Sequence, residues 1–288
     1  MHRHPNFELW LHEDNELAAV LGSPISERAT IHEWPLSCVQ RIRTAAGSSY
    51  IYKVQAPPTL EVNFYTHARS ELLVPVRLLE EQCGTTAMIM EDVNAPRLND
   101  IHLEETEILE IAADLLKQIA EIGGELPAMA DIRTEDRWLA YIKIALDDMR
   151  ALISEGSFHQ VDHELINCLE RWSEAPPIMK ALNSQTGYVH ADLKAENVLV
   201  TPNGYRVLDW QRPIRGPVLL DTATLLISLR IDPSRHVPIG IIQLYHFLHI
   251  AWFGQAARKW VPQGKSWFDG IIKGISVELK RLQLSDDQ

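Results

Sequence analysis

Over residues 30–54 apolar and polar positions alternate in short runs, TIHEW, LSCVQRI and SSYIYKV, with Ala46-Gly47 between the last two. Alternation rich in β-branched and aromatic residues predicts strands, and the Ala-Gly pair predicts a turn between them. Pro57-Pro58 interrupts the pattern, after which the period lengthens. In LEVNFYTHARSELL, residues 60–73, Leu60, Phe64, His67 and Glu71 fall on one side, which predicts a helix. TTAMIMEDV, residues 85–93, returns to an apolar strand closed by Glu91 and Asp92.

Beyond Val93 the pattern becomes that of long amphipathic helices. Over residues 101–122, Ile108, Ile111, Ala112, Leu115, Leu116, Ile119 and Ile122 keep a helical period. Glu104, Glu105 and Glu107 favour the dipole of its early turns, and Gly123-Gly124 marks the stop. Residues 134–153 carry a second such face through Trp138, Tyr141, Ile142, Ala145 and Met149, and residues 161–172 a third. Two short apolar runs, VLV and YRVL, then flank Pro202-Asn203-Gly204 and predict a hairpin, and helices resume from Val218. The whole pattern predicts an α+β protein of two lobes. Residues 1–93 form a small β-rich lobe with one helix, residues 91–96 connect it, and residues 94–288 form a large helical lobe.

Composition narrows the function classes. The 288 residues are 46% hydrophobic and 23% charged, which is ordinary for a folded globular chain. A formal charge of −12 argues against nucleic acid as a partner and is compatible with a cationic small molecule. Three widely spaced cysteines, Cys38, Cys83 and Cys168, predict a reducing compartment rather than a disulfide scaffold. The opening MHRHPNFELWLHEDNEL lacks the apolar run of a secretory signal. The most apolar stretch, residues 237–254, carries Gln243, Tyr245, His246 and His249, so it predicts a buried helix rather than a membrane span. The expectation is a cytoplasmic protein without a membrane partner.

The densest chemistry lies in GYVHADLKAENVLV, residues 187–200, followed by VLDWQ with Asp209. Asn197 and Asp209 are oxygen donors of the kind Mg²⁺ accepts alongside phosphate and water, and Asp192 is placed to take the proton of an attacking hydroxyl. The hairpin between Asn197 and Asp209 would return the second donor to the side of the first. His190 is expected to brace the loop rather than touch a substrate.

Spacing and order together make YVHADLKAENVLV…YRVLDWQ resemble the aminoglycoside phosphotransferase superfamily, small-molecule kinases of protein-kinase-like fold. The resemblance implies ATP or GTP as phosphoryl donor, Mg²⁺ as cofactor and a small-molecule hydroxyl as acceptor. It implies that Asp192 and Lys194 are catalytic and that Asn197 and Asp209 hold the metal. Lys53 would pair with the nucleotide phosphates and be held by Glu61, or by Glu71 if the helix starts later. The backbone of Glu91 and Val93 would meet the adenine edge. Asp221, in LLDTATLL, would tie down the catalytic loop, and its place before an apolar run also predicts a helix N-cap.

Two departures qualify that likeness. No glycine stands in TIHEWPLSCVQRI, where a glycine-rich loop would cover the phosphates, so Ser37 would have to supply hydroxyl and backbone N–H. Gln211 replaces the acid that many relatives carry two residues after the metal aspartate. A catalytically degenerate binding protein is therefore the alternative reading. A protein kinase is the third, opposed by the 12 positions from Asp209 to Asp221, too few for a peptide-seating segment.

The acceptor is written less plainly. Tyr245, Trp252, Phe253, Trp260, Trp267 and Phe268 crowd the C-terminal third. Their helical spacing predicts core, with an aromatic cage for a quaternary ammonium as the alternative. Only Asp286 and Asp287 end the chain, so it lacks the acidic cluster expected of an aminoglycoside site.

Overall fold

The computed structural model describes residues 1–285. Asp286 and Asp287 lie outside the described residues. The chain forms two compact units. The first comprises Met1–Asp100, Ile122–Pro127 and Glu196–Gln211, and the second Ile101–Glu121, Ala128–Ala195 and Arg212–Gln288.

The first unit is built on a five-stranded antiparallel sheet. Its order is Ile25–Trp34, Ser37–Thr44, Ser49–Gln55, Thr86–Glu91 and Val76–Leu78. Because side chains alternate between faces, Cys38, Ile42, Tyr52, Val54, Ala87 and Ile89 share one face. The N-terminal segment covers that face with Leu9, Leu11 and Leu17. Leu17 belongs to a helix, Asp14–Leu21, opened by a reciprocal capping box between Glu13 and Glu16. Neither this helix nor the short strand Val76–Leu78 stands out in the sequence pattern. Lys53, between Tyr52 and Val54, points to the opposite face of the sheet.

The helix expected over residues 60–73 spans only Glu61–His67. Tertiary pairing stops it. Arg69 and Gly123 exchange backbone hydrogen bonds at 2.9 and 3.0 Å, and Val207 N–H donates to Leu72 O at 2.8 Å. Gly124, at φ +110°, lies so close that a Cβ there would stand 2.1 Å from His67 O. The Gly-Gly pair that ends the following helix in sequence thus also admits this backbone contact.

The second unit is helical around a small sheet. Three amphipathic helices form near their expected positions: Glu105–Ala120, Glu135–Ser154 and His163–Ser173. The first opens with a capping box between Glu104 and Glu107; the side chains of Thr134 and Asp162 cap the other two. Pro176–Leu182 adds a short helix with proline at its first positions. The apolar stretch forms the helix Ile239–Gln255, packed by helices Glu135–Ser154, Pro176–Leu182, Leu219–Ser228 and Lys265–Ser285. Gly240 permits its close approach to Pro177, whose carbonyl oxygen would lie 1.9 Å from a Cβ. No helix among the described residues is long and apolar enough to cross a membrane.

In the small sheet, Ile214–Pro217 is central, parallel to Ala130–Asp131 and antiparallel to Thr186–Val189. The loop carrying His190 and Asp192 leaves the end of Thr186–Val189. The helix that Asp221 was expected to cap spans Leu219–Ser228 with Val218 at its N-cap, so Asp221 is not the cap. It sits in the first turn, fully buried, and its carboxylate turns to another partner.

Candidate active site

Polar residues gather in each unit. In the first, Lys53 Nζ lies 2.6 Å from Glu61 Oε2 and 2.5 Å from Asp209 Oδ1. Glu61 is completely buried, whereas the Glu71 side chain is fully exposed with Arg206 as its nearest cation. Burial alone would lower the Lys53 pKa; Asp209 and Glu61 outweigh it and raise the value, so the ammonium stays charged. Burial pushes the Glu61 carboxyl up, against the attraction of Lys53 and with the repulsion of Asp209. The buried Tyr65 hydroxyl, beside both acids, makes no hydrogen bond among the described residues.

The hairpin positions Asp209. Val198 opposes Val207, so the residues just outside that pair, Asn197 and Leu208, meet next, and Leu208 N–H donates to Asn197 O at 2.9 Å. Asp209 follows in a left-handed conformation, φ +68°, which a residue with a Cβ adopts only under constraint. The constraint is visible on both sides. Trp210 is buried and stacks on Phe64 at 4.4 Å, and its Nε1 donates to Val207 O at 3.0 Å. Phe64 lies one turn beyond Glu61, and Leu60 N–H donates to Gln211 O at 2.9 Å. Helix and hairpin are thereby locked where Lys53 meets both acids. Gln211 Nε2 also donates to Asp209 Oδ1, at 2.5 Å.

At the expected phosphate loop, strands Ile25–Trp34 and Ser37–Thr44 join through the two-residue turn Pro35-Leu36. Neither turn residue has positive φ, so the turn makes no demand for glycine. Ser37 is 4% exposed. Where residues 91–96 leave the sheet, Arg41 and Ser49 hold Asp92 at 2.9 and 2.5 Å. Glu91 N–H donates to Pro75 O and Val93 O accepts from Ala95 N–H, while among the described residues no hydrogen bond forms on Val93 N–H.

The second unit holds Asp192 and Lys194. Asp221 accepts the N–H groups of His190 and Ala191, one on each carboxylate oxygen, at 2.8 and 2.9 Å. These bonds hold Ala191 at φ +65°, a conformation that costs an alanine about 1–2 kcal/mol. Burial lifts the Asp221 pKa to about 7, against the pull of the two N–H groups. His190 is fully buried and its Nδ1 accepts from Asp192 N–H at 3.2 Å, the bracing role expected of it. Lys194 Nζ stands 3.1 Å from Asp192 Oδ1.

Arg212 and His249 join this group without a sequence signal of their own, together with Tyr245, one of the aromatics weighed as a cage, because only the fold brings the turn after Gln211 to the helix Ile239–Gln255. Of Tyr245, Trp252, Phe253, Trp260, Trp267 and Phe268, only Phe268 is fully buried. Trp267 is 59% exposed, which departs from the expectation of core, since its position on helix Lys265–Ser285 faces outward.

The donors expected for a metal are Asn197 and Asp209, an amide oxygen and a carboxylate. No group of three or more His, Cys, Asp or Glu suited to a metal occurs among the described residues. Two hard oxygen donors fit Mg²⁺, which needs one or two protein ligands when phosphates and water complete its shell.

The sequence matches the model of the phosphotransferase enzyme family, APH, over residues 39–260, more than half of the chain. The protein belongs to this family. No curated protein matches it. Among solved structures, a thermostable aminoglycoside phosphotransferase APH(4)-Ia, in complex with AMP-PNP and hygromycin B, is similar with a TM-score of 0.62 at 17% identity, covering 94% of this chain and 98% of that one. Spectinomycin phosphotransferase APH(9)-Ia, in complex with ADP and spectinomycin, gives 0.55 at 14% identity, covering 94% and 99%. A choline/ethanolamine kinase family protein from Mesorhizobium loti gives 0.60 at 14% identity, covering 93% and 92%. At such identities these likenesses establish the kinase-like α+β fold, and the APH match establishes the family.

Proposed function

We propose that this phosphotransferase moves the γ-phosphoryl group of ATP or GTP to a hydroxyl of a small molecule. The observation that carries the reading is Lys53 held between buried Glu61 and Asp209, with Asn197 tied to the same hairpin end. Lys53 binds nucleotide phosphate, and Glu61 keeps its ammonium in place. The unused N–H of Val93 and the carbonyl of Glu91 receive the adenine edge, and Ser37 N–H and hydroxyl supplement the phosphate contacts. Asp192 orients the acceptor and takes its proton as the hydroxyl oxygen bonds to the γ-phosphorus and the bond to the bridging β–γ oxygen breaks. Lys194 steadies charge on the transferring group. Asn197 and Asp209 would hold Mg²⁺, which would supply neutralisation of the phosphate oxygens.

The segment after Asp209 supports a small acceptor over a peptide. Residues 214–217 form the central strand of a sheet, bonded on both sides, so no loop is available there to seat a polypeptide. Thermal melting with Mg-ATP and with Mg-GTP tests the reading, because a ligand of the folded state raises the midpoint by mass action. A shift that needs the metal and disappears in Asp209→Asn is expected. No shift with either nucleotide would favour the degenerate alternative, for which the glycine-free Pro35-Leu36 turn speaks.

A further inference from the structure

We infer that the acceptor carries an anionic group, a carboxylate or a phosphate ester, and that Arg212 binds it against the face of Trp252. This rests on the kinase reading above and names the substrate class of the same reaction. The Arg212 guanidinium lies 3.9 Å from the centre of the Trp252 ring. Its Nη2 is 3.9 Å from Asp192 Oδ2, beyond hydrogen-bond reach, and the guanidinium makes no hydrogen bond among the described residues. Its side chain is only 25% exposed. Other arginines of this unit are committed differently, among them Arg133 to Asp131, Arg150 to Asp147 and Glu170, and Arg258 to Glu155. Arg212 keeps its planar fork of donors unused, and that fork matches the two oxygens of a carboxylate or phosphate.

Local charge agrees. Asp192 faces two cations, Lys194 at 3.1 Å and Arg212 at 3.9 Å, within a chain of net charge −12. A cationic acceptor would meet Lys194 and Arg212; an anionic one is drawn to them. The rest of the surface suits an uncharged body. Tyr245, His249 and Trp252 follow one face of helix Ile239–Gln255, with Tyr245 and His249 rings 4.3 Å apart. His249 Nδ1 lies 2.9 Å from Tyr245 O, a bond it makes as donor, and burial lowers its pKa, so its Nε2 is left as an acceptor for a substrate hydroxyl.

The test is melting of wild type, Arg212→Met and Arg212→Lys with three sets of probes. These are hydroxycarboxylates beside their amides, sugar phosphates beside their free sugars, and amino alcohols. The expected result is stabilisation of wild type by one anionic set and not by its uncharged counterparts. Which set acts separates carboxylate from phosphate. Arg212→Met should weaken the apparent dissociation constant on the order of 10- to 100-fold, and Arg212→Lys should recover part of it, since it keeps the charge without the fork. A retained Mg-ATP shift shows that each variant is folded. The inference is overturned if amino alcohols or uncharged probes stabilise as well, if neither anionic set does, or if Arg212→Met binds like wild type. Loss of the Mg-ATP shift from wild type itself would instead count against the kinase reading, and the probe comparison is read independently of it.

Discussion

Lys53 and Asp192 are both charged residues assigned to the reaction, yet their surroundings are opposites. Lys53 is 6% exposed and its charge is answered by two acids, one of them fully buried. Asp192 faces two cations, and Asp221 holds the backbone of its loop at His190 and Ala191. In the first unit the chemistry and the packing share the same atoms, because Phe64 and Trp210 lock the helix and hairpin that bring Glu61 and Asp209 to Lys53. In the second they are separated, with Asp221 anchoring the loop backbone and Asp192 carrying the part proposed for it in the reaction. The difference teaches where a mutation should cost stability and where it should cost only turnover.

The sharpest contrast comes from Asp192→Asn. It should lower turnover of an accepted hydroxyl compound by about 10²–10⁴-fold while leaving the melting temperature and the Mg-ATP shift close to wild type. Steady-state rates beside melting curves check this, and retention of full turnover would remove Asp192 from its role. Lys53→Met should do the reverse to the first unit. Stranding Glu61 and Asp209 without their cation costs about 3–5 kcal/mol, read by denaturant unfolding. Adding Glu61→Gln should restore part of that loss, whereas additive losses would mean that the pair does not couple.

Asp221→Asn comes next, at about 1–3 kcal/mol, because one of two buried N–H groups would face an amide NH₂ instead of an oxygen. Its turnover should fall too, since Ala191 is then no longer held at positive φ. Unfolding beside rate measurements reads both effects.

The smallest effect is a pH dependence with two opposing parts in the second unit. Burial holds His246 at about 4, below its ordinary 6.5. The unfolded chain takes up a proton between these values that the folded chain refuses, so stability present above pH 6.5 is lost as pH falls toward 4. Asp221, raised to about 7 by burial, acts the other way: its contribution is full below the ordinary aspartate value and is lost as pH rises through 7. His246→Gln should therefore flatten the acid side of a melting-temperature profile and leave the slope near pH 7 in place. An unchanged acid limb would show that His246 does not carry it.

Periodicity was enough for elements whose stability is local. Helices Glu105–Ala120, Glu135–Ser154 and His163–Ser173 have apolar stripes and their own caps, and the hairpin carries its turn in Pro202-Asn203-Gly204. It overran in residues 60–73, where the stripe continues but the backbone is claimed by Gly123 and Val207. It was silent on Ile214–Pro217, two residues beyond which Leu219 already begins a helix; four residues without alternation become a strand only because two neighbours bond to them.

By itself the sequence determined the family, the α+β class, and the residue types and order of the polar set from Lys53 through Asp192 and Asn197 to Asp209. Those follow from chemistry and spacing along the chain. Only the tertiary structure decided that Glu61 rather than Glu71 meets Lys53, that Asp221 holds a loop instead of capping a helix, and that Arg212 lies on Trp252 with its donors unspent. Each of those depends on which distant backbone wins a hydrogen bond and which side chain is left in water, and neither is encoded in local period.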